Sequence, residues 1–495
     1  MKLRKGSDLA LTIGKTGTDK MLPIGEWREH ESLITGGLAV LAGLVLLFNL
    51  WARSLENHDY LRYAEVAREM IRSGDWVTPR YNGDVYLDKP PLLFWLIAIP
   101  SALYGSVTPF LARLPSVLSA WVGAVVVFLF GRKLYGRIRD GILSAGILLS
   151  SYQYFSQARS AKTDILLCYL ILAAFYSFYL GYEAERLQRY CYFGLSFFFM
   201  GLGVLTKGPF GFFIPFPVMA LFLIKEKKAS LLIGREFILG YLILLLVALP
   251  WALLFVDRFG LKESITLLKA THPLSRQAPF YFYFLEIWGQ FAPWSLLLPF
   301  LGFYIWRERK TVWHSRESLF LIWFVLLFIL LTLFKVRASR YLLPALPPLA
   351  LMLGGRWRKN LGYFVMGFGV AILLWYGREM VQMRKDITYS PGKVLAEELK
   401  GAMMGEKKAG ESLFYGYLLD ISTLEELNFY LDPTTPIAHF EQFGGLRPHL
   451  GKGERQSILM PKKVYEGLQE EEGRSFTFVR EFSYKKDDLV LTQAK

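Results

Sequence analysis

The chain is poor in cysteine and in acidic residues. Its 2 cysteines, Cys168 and Cys191, both lie inside apolar runs, so they supply neither a disulfide framework nor a metal-ligand spacing. Asp and Glu number 42 against 57 Lys and Arg, a net charge of +15. The sequence also lacks a P-loop, a dinucleotide glycine fingerprint, a His-Glu-x-x-His helix and a well-placed Gly-x-Ser-x-Gly elbow. Nucleotide-driven transport and serine hydrolysis are therefore without support.

What the chain has in abundance is apolar surface. It is 53% hydrophobic with a mean hydropathy of +0.30, and carries 39 Phe, 27 Tyr and 13 Trp. Repeated apolar runs near the length of a bilayer crossing read as transmembrane helices. They are predicted at 33–53, 110–131, 140–157, 164–182, 190–205, 209–224, 236–256, 280–304, 317–334, 341–354 and 359–377. The first run follows a polar, basic leader unlike a cleavable signal peptide, so this span is expected to be retained. The basic residues cluster in the leader, at Arg132–Arg139, Lys225–Arg235, Arg307–Arg316 and Arg356–Lys359. The positive-inside rule places these clusters in the cytoplasm and removes the need for a nucleic-acid partner.

Orientation then constrains the apolar piece 91–104. If it crossed the membrane, the Arg132–Arg139 loop would fall outside; it is therefore expected to lie at the outer surface or to re-enter. Residues 54–109, the segment Gln157–Asp164, the turn at Lys207, the loop Asp257–Pro279 with His272 and Arg276, and the turn Lys335–Tyr341 all come to the outer face. Ionisable residues at span ends are costly there and mark a functional site by default.

The first outer loop is the most unusual stretch. Tyr60, Tyr63, Ala64, Ala67, Met70 and Ile71 form one stripe of a surface helix, with Asp59 predicted as its N-cap and Gly74 as its stop. An ordinary cap explains Asp59; so does a role beside Arg62 and Tyr63, which crowd the same positive helix end and can hold an anion or orient an acceptor. Asp88-Lys89-Pro90-Pro91 opens the next helix, where prolines are good starters and a lysine can bind a lipid phosphate. Lys162 and Asp164 can form a plain surface pair. Lys207, between two spans with almost no loop, either snorkels or serves a site. With Arg276, Arg337, Arg340 and Tyr341 added, cations outnumber anions on this face, which suits a phosphate-bearing ligand.

In order along the chain stand Asp59-x-x-Arg62-Tyr63-Ala64-Glu65, Ser73-Gly-Asp75-Trp76, Pro79-Arg80-x-Asn82-Gly83 and Tyr86-x-Asp88-Lys89-Pro90-Pro91. Further on come Arg113-Leu-Pro-Ser116, Arg159-x-x-x-x-Asp164, Leu205-Thr-Lys207-Gly-Pro209, Pro250-Trp251, Pro293-Trp294-Ser295 and Arg340-Tyr341-Leu-Leu-Pro344. This set resembles the aminoarabinose lipid A transferases, in the wider family of GT-C membrane glycosyltransferases that includes the protein O-mannosyltransferases. The resemblance runs over roughly residues 50–350. It implies a polytopic α-helical membrane fold of about 11–13 transmembrane helices, with a small α/β C-terminal periplasmic domain. It implies an inner-membrane enzyme with its site on the periplasmic face, taking a sugar from polyprenyl (undecaprenyl) phosphate to lipid A or another glycan or protein acceptor.

By that resemblance Asp59 and Asp164 are the catalytic candidates. Arg62, Tyr63, Lys89, Lys207, Arg276, Arg340 and Tyr341 are the candidates for holding the donor's phosphate and lipid. No cofactor is required, and a divalent metal is left open with Asp88 as its candidate ligand. The family's Asp-Glu pair is Asp59-Tyr60 here, which weakens any role needing adjacent carboxylates. Direct displacement would invert the sugar carbon; Asp59 acts as base toward a hydroxyl acceptor, or orients groups if the acceptor is already an anion. A protein O-mannosyltransferase-type reaction is the alternative. So is a non-catalytic binder or transporter of lipid-linked sugars, though a transporter would gather its charges at midplane. The division is expected at 1–378 for the membrane domain and 379–495 for the soluble one. In the latter, 392–403 and 424–430 read as helix, and 412–418, 475–482 and 488–491 as strand.

Overall fold

A computed structural model describes residues 36–264 and 278–388 apart from short gaps, together with separate pieces of 394–494. Arg276 and His272 lie outside the described residues. In the first half of the chain the helices are α1 (36–47), α2 (His58–Ser73), α3 (Leu92–Tyr104), α4 (Pro109–Tyr135), α5 (Ile138–Ser150), α6 (Tyr152–Ala158), α7 (Thr163–Glu183), α8 (Arg186–Lys207), α9 (Phe210–Phe213), α10 (Pro215–Lys225) and α11 (Arg235–Phe259).

Among the described residues, four helices are long and apolar enough to cross a membrane alone: Pro109–Tyr135, Thr163–Glu183, Leu187–Lys207 and Arg235–Phe259. Their burial differs with position. The most apolar window of α7 is 83% buried and that of α11 only 11%, so α7 is the axis of the bundle and α11 turns its Leu side chains outward to lipid. Phe130, Phe193, Phe222 and Trp323 pack with Phe175 and Phe178 of α7 as one buried aromatic core.

Several predicted spans are two shorter helices end to end. The run 140–157 breaks at Ser151, which takes extended backbone between α5 and α6. The run 209–224 is α9 and α10, with Pro215 opening the second piece. The run 280–304 comprises Phe282–Gln290, a 3-10 turn Trp294–Leu297 and Leu298–Arg307; 341–354 is a 3-10 turn, Ser339–Ala345, leading into Leu346–Gly354. Hydropathy registers apolar length and is blind to such breaks. By contrast 317–334 is one helix, Ser318–Leu333, and the last run extends through Leu361–Thr388, so the division expected at 378/379 falls inside a helix.

The piece 91–104 contains one short helix. Its helix α3 has 13 residues, about 20 Å at 1.5 Å per residue, too short for a hydrocarbon core of about 30 Å. Its buried face, Leu93, Phe94, Ile97 and Ala98, packs on Leu61, Ala64, Ala67 and Met70 of α2. The stripe read from the sequence is part of what α2 buries; Leu61 and Val66, outside it, are buried as well.

Beyond the bundle, β3 (Leu413–Tyr417), β4 (Ala438–Phe440), β5 (Gln456–Pro461), β6 (Phe476–Tyr484) and β7 (Asp487–Ala494) form a mixed sheet in the order β4-β3-β5-β7-β6. β3 runs parallel to β4 and β5, while β7 is antiparallel to β5 and β6. The strand pieces expected at 412–418, 475–482 and 488–491 are present; β4, β5 and the helix Lys462–Glu472 were not anticipated. Leu395, Leu399, Leu427, Leu459, Leu489 and Leu491 form the core of this region.

Candidate active site

The loop that joins α2 to α3 is built rather than slack. Gly74, at φ +70°, ends α2 and returns its N–H to the Met70 carbonyl. β1 (Arg80–Tyr81) and β2 (Asp84–Val85) form a tight hairpin across Asn82 and Gly83, both at positive φ, the pair such a turn demands. Glu69 of α2 accepts from the Gly83 amide at 3.2 Å, fixing the hairpin to the helix. Asp75 caps the amides of Val77 and Thr78 and pairs with Arg258 of α11 at 2.6 Å; Trp251 of α11 donates to the Val77 carbonyl at 2.8 Å. Burial disfavours ionisation of Asp75, but Arg258 and those amides outweigh it and hold its carboxyl below the ordinary range. The Pro-Trp motif at 250–251 therefore anchors the loop.

This frame presents α2's first turn to the ends of α7 and α8. The helix starts at His58, so Asp59 sits within the first turn rather than at the N-cap, and its carboxylate lies 3.4 Å from Lys162 and 3.8 Å from Arg340. Asp164, in the first turn of α7, is not paired with Lys162. It accepts from Lys207 at 2.5 Å and faces Arg340 at 3.8 Å. The reason is local: Lys162 precedes α7 in extended backbone and reaches α2, whereas Asp164 is inside the helix and faces the end of α8. Residues two apart do not share a helix face. Lys207 also lies over the Tyr341 ring at 4.6 Å, and Arg340 over the same ring at 5.7 Å.

The second helix start completes the cluster. Lys89 pairs with Asp88 at 2.8 Å, and the Tyr86 hydroxyl donates to Asp88 at 3.1 Å. Arg62 lies over the rings of Tyr81 and Tyr86 at 5.5 and 5.8 Å. Tyr63, buried against Phe94, sits within electrostatic reach of Asp59, Asp88 and Asp164. Burial raises the phenols of Tyr63 and Tyr86, so both stay protonated and able to donate. Burial lowers Lys89, with Lys207 adding to the effect and Asp88 opposing it.

Every predicted site residue within the described chain thus converges here: Asp59, Arg62, Tyr63, Asp88, Lys89, Asp164, Lys207, Arg340 and Tyr341. Lys162 joins them, a member that the sequence reading had assigned to a surface pair. Cations outnumber carboxylates, and the Asp164–Lys207 pair is well enclosed, with side chains 7% and 14% exposed. Removing one partner of such a pair would cost about 3–5 kcal/mol. Asp59, at 30%, is the more open carboxylate. Asp88 is engaged by Lys89 and Tyr86, and among the described residues no three His, Cys, Asp or Glu side chains stand together as a ligand set for a metal.

Two other motif residues serve the frame. Arg159 is buried; it donates to Glu379 at 2.6 Å and to the Leu46 carbonyl at 2.8 Å, tying α6 to α1 and to the helix Leu361–Thr388. Trp294 donates to Ser150 at 2.9 Å across the break between α5 and α6.

Crystal structures of ArnT from Cupriavidus metallidurans, apo and bound to undecaprenyl phosphate, superpose with TM-scores of 0.76 and 0.75 at 19% identity. They cover 94% and 95% of this chain and 98% of that one. Residues 88–253 match the dolichyl-phosphate-mannose-protein mannosyltransferase family. The undecaprenyl phosphate-alpha-4-amino-4-deoxy-L-arabinose arabinosyl transferase of Serratia proteamaculans is 31% identical over 330 residues, covering 64% of this chain and 58% of that one. An uncharacterized protein of Aquifex aeolicus is 30% identical over 325 residues, covering 64% and 62%. The chain thus spans about three-fifths of the length of these curated relatives. The resemblance read from the loop motifs holds: the chain is similar to aminoarabinose transferases over about two thirds of its length and to the protein mannosyltransferase family over 88–253, and it shares the GT-C fold of the ArnT structures.

Proposed function

We propose that the protein is an inverting glycosyltransferase of the bacterial inner membrane, moving a sugar from undecaprenyl phosphate to an acceptor at the periplasmic face. The observation that carries this reading is the convergence of Lys89, Lys162, Lys207 and Arg340 on the carboxylates of Asp59, Asp88 and Asp164, all three within electrostatic reach of Tyr63, at the end of the bundle opposite the basic loops. A polyprenyl phosphate leaves readily once its developing charge is held, and fixed cations in a partly enclosed site hold it without reorganisation. Lys89 and Lys207 take the phosphate, with Tyr63 and Tyr86 donating from the loop side. Asp164 keeps Lys207 and Arg340 in place. Asp59, the open carboxylate, faces the sugar and acceptor, as base for a hydroxyl or as an orienting charge for an anionic acceptor. The cations themselves hold the charge in this scheme, and no step depends on a metal.

The sugar follows the relatives' printed activity, 4-amino-4-deoxy-L-arabinose; lipid A is the acceptor that the resemblance of the loop motifs implies. Purified protein incubated with undecaprenyl-phosphate aminoarabinose and lipid A, with a Ser/Thr peptide and a mannosyl donor in parallel, tests it by mass spectrometry of the products. A lipid A mass gain of one aminoarabinose is expected; mannosylated peptide alone, or no transfer, would overturn the assignment.

A further inference from the structure

Among the described residues, the C-terminal region touches the site loop through the turn at 427–431. Residues 429–431 are helical, and Leu427 and Phe429 are buried. Leu427 belongs to the core of the C-terminal region, with Tyr430 and Leu431 packed against it. Phe429 instead belongs to the core of the site loop, among Leu61, Ala64, Ala67 and Leu93. One turn therefore spans two hydrophobic clusters that otherwise share no buried residue among those described.

Polar contacts fix the turn on both sides of Asp59. Arg68 of α2 is 6% exposed; it pairs with Glu65 at 2.8 Å, donates to the Phe429 carbonyl at 2.9 Å and lies over the Phe429 ring at 4.6 Å. A buried cation satisfied this way is costly to leave unpaired, so the contact has one geometry. Before the helix, the Leu55 amide donates to the Tyr430 hydroxyl at 3.0 Å. Leu55 and Arg68 bracket the first turn that carries Asp59. The same cluster joins α2 to α3, which follows Asp88 and Lys89 directly, so α2 is the element through which the turn reaches the site.

We propose that this turn is a positioning element: Phe429 and Tyr430 hold α2 against the bundle so that Asp59 stays in line with Lys162 and Arg340, and the C-terminal region acts on transfer through that hold. The proposal rests on the glycosyltransferase reading for its kinetic consequence, and on the coordinates alone for its structural one. Lys207, which takes the phosphate, and Arg340 beside it lie on other elements, while Tyr63 lies on α2 and Lys89 just before α3, so loosening α2 lowers transfer more than it lowers donor affinity.

The test uses full-length Phe429→Ala, Phe429→Leu and Tyr430→Phe in detergent or nanodiscs. Donor affinity is measured with undecaprenyl phosphate itself, transfer by single turnover, and order in α2 by hydrogen exchange. Phe429→Ala is expected to lower the transfer rate about 10-fold or more, since an ångström of misplacement is worth up to about 100-fold, with a smaller loss of donor affinity and faster exchange confined to 55–73. Phe429→Leu, which refills the socket, restores most of the rate. Tyr430→Phe, which removes one hydroxyl and keeps the fold, shows the same split in smaller measure. Equal rates in all variants, or exchange in 55–73 unchanged by Phe429→Ala, would overturn the proposal. If the wild-type protein transfers nothing, the glycosyltransferase reading fails, while exchange in 55–73 still decides whether the turn holds α2.

Discussion

Lys89 illustrates how one side chain's surroundings set the working range of the site. Burial lowers it, and Asp88 returns only part of the charge stabilisation. A lysine holds phosphate only below its pKa, so donor capture is present at lower pH and is lost as pH rises through the lowered value. The alkaline limb of kcat/KM for donor is therefore expected below the ordinary lysine value of about 10.4. Lys89→Arg, which keeps the charge and does not titrate, should move that limb upward; an unchanged profile would remove Lys89 from the phosphate. The neighbouring pair shows what sequence can and cannot yield at this scale. Lys162 and Asp164 stand two apart and invite pairing, yet the start of α7 between them sends one to Asp59 and the other to Lys207. Residue type was legible; direction depended on where the helix begins.

At the scale of elements, surface helix α2, its glycine stop and the short α3 were readable because periodicity and turn chemistry act locally. The breaks within apolar runs were not, because their cause lies in neighbours. The turn after Lys207 is an example. Gly208 at φ +64° reverses the chain, and α9 then packs directly on the end of α8 through Gly203 and Gly211. A Cβ on Gly211 would overlap the backbone of Gly203 and Val204, where no flexible side chain can yield. Gly211→Ala should thus lower the unfolding temperature and weaken undecaprenyl phosphate binding together, because it displaces the helix end that bears Lys207. Gly289→Ala, with open space at its Cβ, should do neither. Thermal melts and donor binding on both variants check this; a silent Gly211→Ala would separate the glycine contact from the site.

The whole molecule is polar along its length. Asp164 and Lys207 mark one end of the bundle, while Lys133 pairs with Glu183 at 3.3 Å and Arg316 joins them at the other. The 21 residues of α7 separate these ends by about 30 Å, a bilayer's hydrocarbon thickness. That arrangement was legible because charge and span count jointly restrict orientation. The C-terminal hold on α2 was not, since the chain between them covers most of the protein. The proposed orientation predicts that a cysteine at Lys462, in a Cys191→Ser background, reacts with a membrane-impermeant maleimide added to the periplasmic side of intact inner membranes. Protection there, with labelling only after permeabilisation, would reverse the topology.

The central claim is that the cluster around Asp59 carries out transfer rather than merely holding a lipid. Single-turnover transfer by Asp59→Asn, with donor saturating and its binding measured alongside, tests this most directly. The account predicts undecaprenyl phosphate binding close to wild type and a transfer rate lower by about 100-fold or more. Transfer at the wild-type rate by the folded variant would contradict it.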